Sequence, residues 1–394
     1  MKNFIGLLMI IFILCLSIMG SVSPVKADNG IDIINNSVDI HFPGAMVFKI
    51  QADSSSEITD IRLNYVVNRM NFAETVSEAW PIFAPSTSVD TQWTWDMRYS
   101  LLPPNTEIEY WWVVKNEDGD EKITDTRTVR FSDNSHNWKK ISSNNLTIFW
   151  YEGDENFANE AMQWATKALD RLADDTGARL EQPIQIFLYA DSQDLLQSMI
   201  FPREWTGGVA HIEYNKITII MSDLQEWSIN ALAHELGHLA THQITFSPYG
   251  IDLPLWLDEG LAMYAQFSQE SYLQTLLKSA LDYNALISLR SLCSPFSAIS
   301  ERAALSYAES YSVVEYLIKE YGRDKILDLL IAFKEGNTYD DALLQVYGFD
   351  LNGLESRWIS WLTAQYEEQN QTSHIESITE QLICQAESSV SFNN

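Results

Sequence analysis

Near Trp138 the spacing of apolar residues changes period, and a chain that does this must build two cores on different plans. Before that point the period is two: Ile61, Leu63, Tyr65 and Val67 interleave with Arg62, Asn64 and Asn68, and residues 107–115 form another run rich in β-branched and aromatic side chains. Half-buried strands have this pattern. Turn signals separate them, among them Pro43-Gly44, Pro103-Pro104-Asn105 and Asn116-Glu117-Asp118-Gly119, and a helical stretch is expected only around Met70 to Glu78. An antiparallel β-sandwich of immunoglobulin or fibronectin III type over residues 28–136 follows. After Trp138 the chain reads as strand 146–151, a helix over 155–175 with Phe157, Ala161, Trp164, Ala165, Ala168, Leu169 and Leu172 on one face, then strands 184–189 and 216–221. From Ser228 it is largely helical, so an α+β domain is expected over 137–365, ahead of a polar tail at 366–394.

The first 27 residues point to export. Lys2 precedes an uncharged apolar run of 16 residues from Phe4 to Met19, and Val25-Lys26-Ala27 ends in the small residue of a cleavage site. The run is shorter than the ~20 residues that span a bilayer, and no comparable run follows. We therefore expect a secreted, extracellular protein, cut after about Ala27, with no stable membrane insertion. Leu14 before Cys15 is too large for lipid attachment. Cleavage removes two lysines and no acid, taking the formal charge from −29 to −31. No nucleic-acid partner is therefore expected. Cys293 and Cys384 remain, enough for one disulfide and too few for a disulfide framework, so the fold rests on its apolar cores.

The residues that carry chemistry begin at position 228. Ile229, Leu232, Ala233, Leu236 and Ala240 recur at helical spacing behind Ser228, the expected N-cap, and give one helix face to a core. On the flank of that stripe stand His234, Glu235 and His238 as His-Glu-Leu-Gly-His. Imidazoles four apart lie one above the other, so both can bind one metal ion while Glu235 faces the open coordination position. A catalytic zinc site takes a third protein ligand. His242 is eight residues from His234 and has rotated roughly 80° away at ~100° per residue. Glu259 lies 21 residues beyond His238 in Leu255-Trp256-Leu257-Asp258-Glu259-Gly260-Leu261-Ala262. The metzincin spacing would need Gly and His where Thr241 and Ile244 stand.

Both motifs, in this order, resemble those of the gluzincins, and most closely the peptidase MA-like proteins of bacteria. The resemblance covers residues 140–362. It implies an α+β fold, one Zn²⁺ per chain held by His234, His238 and Glu259, and hydrolysis of peptide bonds by a metal-activated water with Glu235 as general base. Tyr307, in Tyr307-Ala308-Glu309-Ser310-Tyr311, stands where aminopeptidases of the group carry an oxyanion donor, with Tyr311 as the alternative. One departure is plain. Those aminopeptidases hold the free amine with Gly-x-Met-Glu-Asn before the metal helix, and this chain has Gly207-Gly208-Val209-Ala210-His211 there, which leaves an exopeptidase amine site unsupported. The implied partner is a peptide or protein. The β-sandwich is open to substrate guidance, surface attachment or a folding role. Two other readings stay open, an inactive zincin-like scaffold carrying a binding module and a zinc amidase acting on cell-wall peptide.

Overall fold

A computed structural model describes residues 30–202, 206–248, 252–269 and 271–368. The expected signal peptide, Cys384 and the tail beyond residue 368 lie outside them.

The first half is a seven-stranded antiparallel sheet: β1 (Ile31–His41), β2 (Ala45–Val67), β3 (Ser77–Ala79), β4 (Ser86–Asp96), β5 (Thr106–Asn116), β6 (Glu121–Ile123) and β7 (Arg127–Phe131). β2 pairs with β1 and β4 along its first half and with β5 and β3 along its second, and its register breaks between Asp53 and Asp60. Met46 lies opposite Trp95 on β4, yet the Trp95 ring also sits 4.7 Å from that of Tyr65, at the far end of the same strand. Nineteen residues of straight strand would span about 60 Å. The strand therefore doubles back at the break, and the expected sandwich is one hydrogen-bonded sheet folded into two layers over Phe48, Ile50, Leu63 and Trp112. No helix forms around Met70 to Glu78. The Met70 N–H donates to the Glu213 carbonyl (2.7 Å) and the Phe72 ring stacks on Phe246 (4.4 Å), so this stretch is bent and tied to the second half.

The second half opens on a five-stranded sheet, in the order β11 (Gly208–His211), β12 (Lys216–Ile220), β10 (Ile184–Tyr189), β9 (Leu146–Trp150) and β8 (Lys139–Ser143). The three middle strands are parallel and the two edge strands antiparallel. Helix α1 (Glu155–Thr176) crosses from β9 to β10; Asp154 accepts from Phe157 N–H at its start, and Gly177, at φ 78°, ends it in the left-handed region that glycine tolerates. Short α2 (Ser192–Gln197) precedes β11. After β12 the chain is helical: α3 (Glu226–Thr245), α4 (Leu255–Ala265), α5 (Ser271–Asp282), α6 (Ser300–Tyr321), α7 (Arg323–Lys334), α8 (Tyr339–Tyr347) and α9 (351–368). One face of the sheet, through Ile148, Ile186, Ile217 and Ile219, packs on α1 and α3. Alternate residues face the other way. There the Tyr189 hydroxyl donates to Asp133 (2.9 Å), next to the N-terminal sheet.

Two boundaries differ from expectation. α3 begins at Glu226, and Ser228 lies in its first turn, its hydroxyl donating back to the carbonyls of Asp223 (2.9 Å) and Gln225 (3.0 Å) instead of capping the helix. α9 runs past residue 365 to 368, so helix continues into the stretch expected to be tail.

Candidate metal centre

Three helices build the site because small residues let their backbones approach. A Cβ on Gly237 of α3 would stand 2.9 Å from Ala262 Cα on α4, and a Cβ on Gly260 would stand 2.5 Å from the Ser310 carbonyl oxygen on α6. Both contacts are too close for any side chain. The buried Trp256 ring and the Leu257 side chain anchor α4 in the helical core, which leaves Asp258 and Glu259 facing α3.

On α3, His234 and His238 stand one turn apart with ring centroids 4.8 Å from each other. Their Nε2 atoms are 3.2 Å apart, and Glu259 Oε2 lies 3.3 Å from that of His234 and 3.5 Å from that of His238. A zinc ion bound tetrahedrally at ~2.0–2.1 Å holds its ligand atoms about 3.3–3.4 Å apart, so this triangle has the size of one face of such a site. Glu259 Oε2 is buried and makes no hydrogen bond of good geometry. Two imidazole nitrogens and a carboxylate oxygen converging on one point suit a divalent cation of borderline softness. Burial opposes the charge on Glu259, but hydrogen bonding and charge from His234 and His238 bring its carboxyl down to about 2.

Behind this triangle lies a second layer. His238 Nδ1 donates to Asp258 Oδ1 (2.9 Å), which leaves the Nε2 lone pair aimed at the centre. His242 Nε2 donates to the other oxygen of Asp258 at 3.1 Å. Burial disfavours the Asp258 carboxylate, yet the His238 and His242 rings hold it well below the usual carboxylate range. The Gln266 side-chain amide reaches His234 Nδ1 at 3.1 Å. His242 thus serves the carboxylate behind the centre. Sequence reading assigned no role to Asp258 or Gln266. The signal available for Asp258 was an acid beside Glu259 with a third histidine one turn past His238.

Glu235 and Tyr307 open on a cleft of ≈ 960 Å³, together with His234. The Glu235 carboxylate rests against the edge strand, where a Cβ on Gly208 would come within 3.0 Å of Oε1. The Tyr307 ring lies 6.4 Å from the His234 ring and edge-on to Phe296. Tyr311 faces elsewhere, stacking on Tyr264 and donating to Glu315 (3.4 Å). None of the described residues lining the cleft comes from the N-terminal sheet.

The sequence model of the Peptidase MA superfamily matches residues 164–364, just over half of the 394 residues and the whole of this site. No curated protein matches the chain by sequence. Among solved structures, an M1 zinc metallopeptidase from Deinococcus radiodurans is 12% identical over 84% of this chain and 94% of its own, with a TM-score of 0.36. OgpA from Akkermansia muciniphila is 8% identical over 26% of this chain, with a TM-score of 0.20, and the match spans 28% of that protein's length. A carbohydrate-binding module family 56 β-1,3-glucan binding domain is 19% identical over 25% of this chain and 99% of its own, with a TM-score of 0.17. TM-scores this low fix neither function nor residue correspondence.

Proposed function

The chain belongs to the Peptidase MA superfamily, and from that premise we propose that it is a secreted zinc metallopeptidase of gluzincin type. The observation that carries the reading is the triangle of His234 Nε2, His238 Nε2 and Glu259 Oε2, with edges of 3.2, 3.3 and 3.5 Å. These three residues would hold one zinc ion per chain. Zinc in such a site polarises a carbonyl and lowers the pKa of water towards ~7.

The residues around it do the rest. Glu235, at the mouth of the cleft, takes a proton from the attacking water as oxygen bonds to the carbonyl carbon. It returns that proton to the amide nitrogen as the carbon–nitrogen bond breaks. Tyr307, across the cleft, donates to the carbonyl oxygen as charge develops on it, an interaction on the scale of ~3 kcal/mol. The side-chain-free pair Gly207-Gly208 lets an extended peptide backbone approach β11, whose outer edge is not paired with β12. The N-terminal sheet contributes no described residue to the cleft, and the role proposed for it is attachment to a surface.

The test is zinc content and hydrolysis of casein and a peptide library by residues 28–394, with Glu259→Gln and Glu235→Gln alongside. About one zinc per chain is expected, sharply reduced by Glu259→Gln. Glu235→Gln should keep the metal and lose roughly 10²–10⁴-fold in turnover. Zinc indifferent to Glu259, or turnover surviving Glu235→Gln, would overturn the assignment.

A further inference from the structure

Two large aromatic side chains in the cleft remain open to solvent. Trp227 is 56% exposed and Tyr272 51% exposed, and both line the same cleft as His234 and Glu235. Trp227 precedes His234 by seven residues, two helical turns, so the two stand on one face of α3. The indole rim comes within 3.2 Å of where a Cβ on Gly207 would stand, and the Glu235 carboxylate within 3.0 Å of the same point on Gly208. Ring and general base therefore border neighbouring residues of the edge segment. Met263, Leu273, Ala231 and Ala304 add apolar surface to the same cleft.

Several polar groups of this part of the cleft are engaged, while Gln269 leaves its Oε1 buried without a hydrogen-bond partner. Ser268 donates its hydroxyl to Glu226 and accepts from Asn230 Nδ2 (2.9 Å), and Asn230 Oδ1 accepts from Phe267 N–H (2.9 Å). No lysine or arginine occurs among the described lining residues. An open apolar surface next to a reactive centre is a seat for an apolar side chain. Two rings favour an aromatic one, which can meet them edge-on or offset.

We propose that the Trp227–Tyr272 wall selects peptides bearing an aromatic side chain one or two positions from the scissile bond. This rests on the peptidase reading above. It is tested with one peptide series carrying Phe, Leu, Ala, Lys or Asp at those positions. The kcat/KM of each is measured for the unmodified protein, Trp227→Ala, Tyr272→Ala and Trp227→Phe. Binding of the same peptides to zinc-loaded Glu235→Gln, with and without Trp227→Ala, is followed by calorimetry. The Phe peptide should exceed the Ala peptide by about ten- to a hundredfold, as filling an apolar pocket allows. Each alanine substitution should pull that ratio towards one, while Trp227→Phe keeps most of it. Equal use of Phe and Ala, preference for Lys, or a ratio that survives both alanine substitutions would overturn the proposal. If the unmodified protein hydrolyses nothing, the peptidase reading fails, and binding decides the cleft. Tighter binding of Phe than Ala, lost in Trp227→Ala, would still uphold the aromatic seat. Equal binding would sink it.

Discussion

Towards α4 and α6 the metal centre is closed by backbone resting on backbone, whereas towards β11 it is bounded by two glycines, a flexible carboxylate and the half-exposed Trp227 ring. Glycines occupy both walls, for opposite reasons. Gly237 and Gly260 are filled against neighbouring main chain, which cannot move without shifting a helix. Gly207 and Gly208 leave room that side chains of α3 already use at their tips. The closed wall sets where the metal-binding atoms stand, and the open wall sets what can approach them.

The sharpest way to break this contrast is to make one substitution on both walls. On the closed side, Gly260→Ala puts a methyl 2.5 Å from the Ser310 carbonyl and 2.7 Å from Val314 Cγ2. Overpacking against main chain should cost about 3 kcal/mol of stability, read as a lower denaturant midpoint and weaker zinc retention together. A Gly260→Ala protein as stable as the parent would show that the wall is soft. Next in size is Asp258→Asn, which leaves helix packing alone but weakens the hold on His238. Loss of such an outer partner should reduce zinc affinity about 10–100-fold, measured by chelator competition. On the open side, Gly208→Ala meets only the end of Glu235, which can swing aside. Stability and zinc content should hold, while kcat falls about tenfold because the base is displaced. A stability loss as large as that of Gly260→Ala would erase the distinction between the walls.

How much of this was legible in the sequence follows the same divide between local and non-local causes. The period-two and helical runs located β10, α1 and the buried face of α3, because those patterns repeat over several residues of one element. His234, His238 and Glu259 were singled out from two short motifs, and the structure brings their three donor atoms together. What escaped was decided between elements. The stretch near Met70 has a helix-like pattern but is tied to Glu213 and Phe246 of the other half and forms no helix. Alternation announces β2 without telling that it folds back near Asp53, since the break is defined by which partner each half finds. Asp258 and Glu259 are sequence neighbours serving different layers of one site, and only the crossing of α3 and α4 separates their tasks. Trp227 and Tyr272 belong to no motif, and their exposure became informative only beside a cleft.

A last test probes the closed wall through its charges. In the metal-free protein burial works against a charged His238, but the carboxylates of Asp258 and Glu259 outweigh it and raise the ring well above its ordinary value of 6.5. Zinc needs the His238 Nε2 lone pair, so binding must displace that proton. The sign follows: zinc affinity should keep climbing as pH rises past 6.5, by up to about tenfold per unit, and level off only above the raised value. The metal-free fold should move the other way. A raised histidine contributes stability that is complete below the unfolded-state value and is lost as pH rises through the folded one. Chelator competition and thermal unfolding between pH 6 and 9, with and without zinc, should therefore diverge as pH increases. In Asp258→Asn one of the two carboxylates that raise the ring is gone, so both curves should flatten at lower pH. Zinc affinity that is level above pH 6.5 in the unmodified protein would mean that the carboxylates do not hold a proton on His238, and that the closed wall orders the site by packing alone.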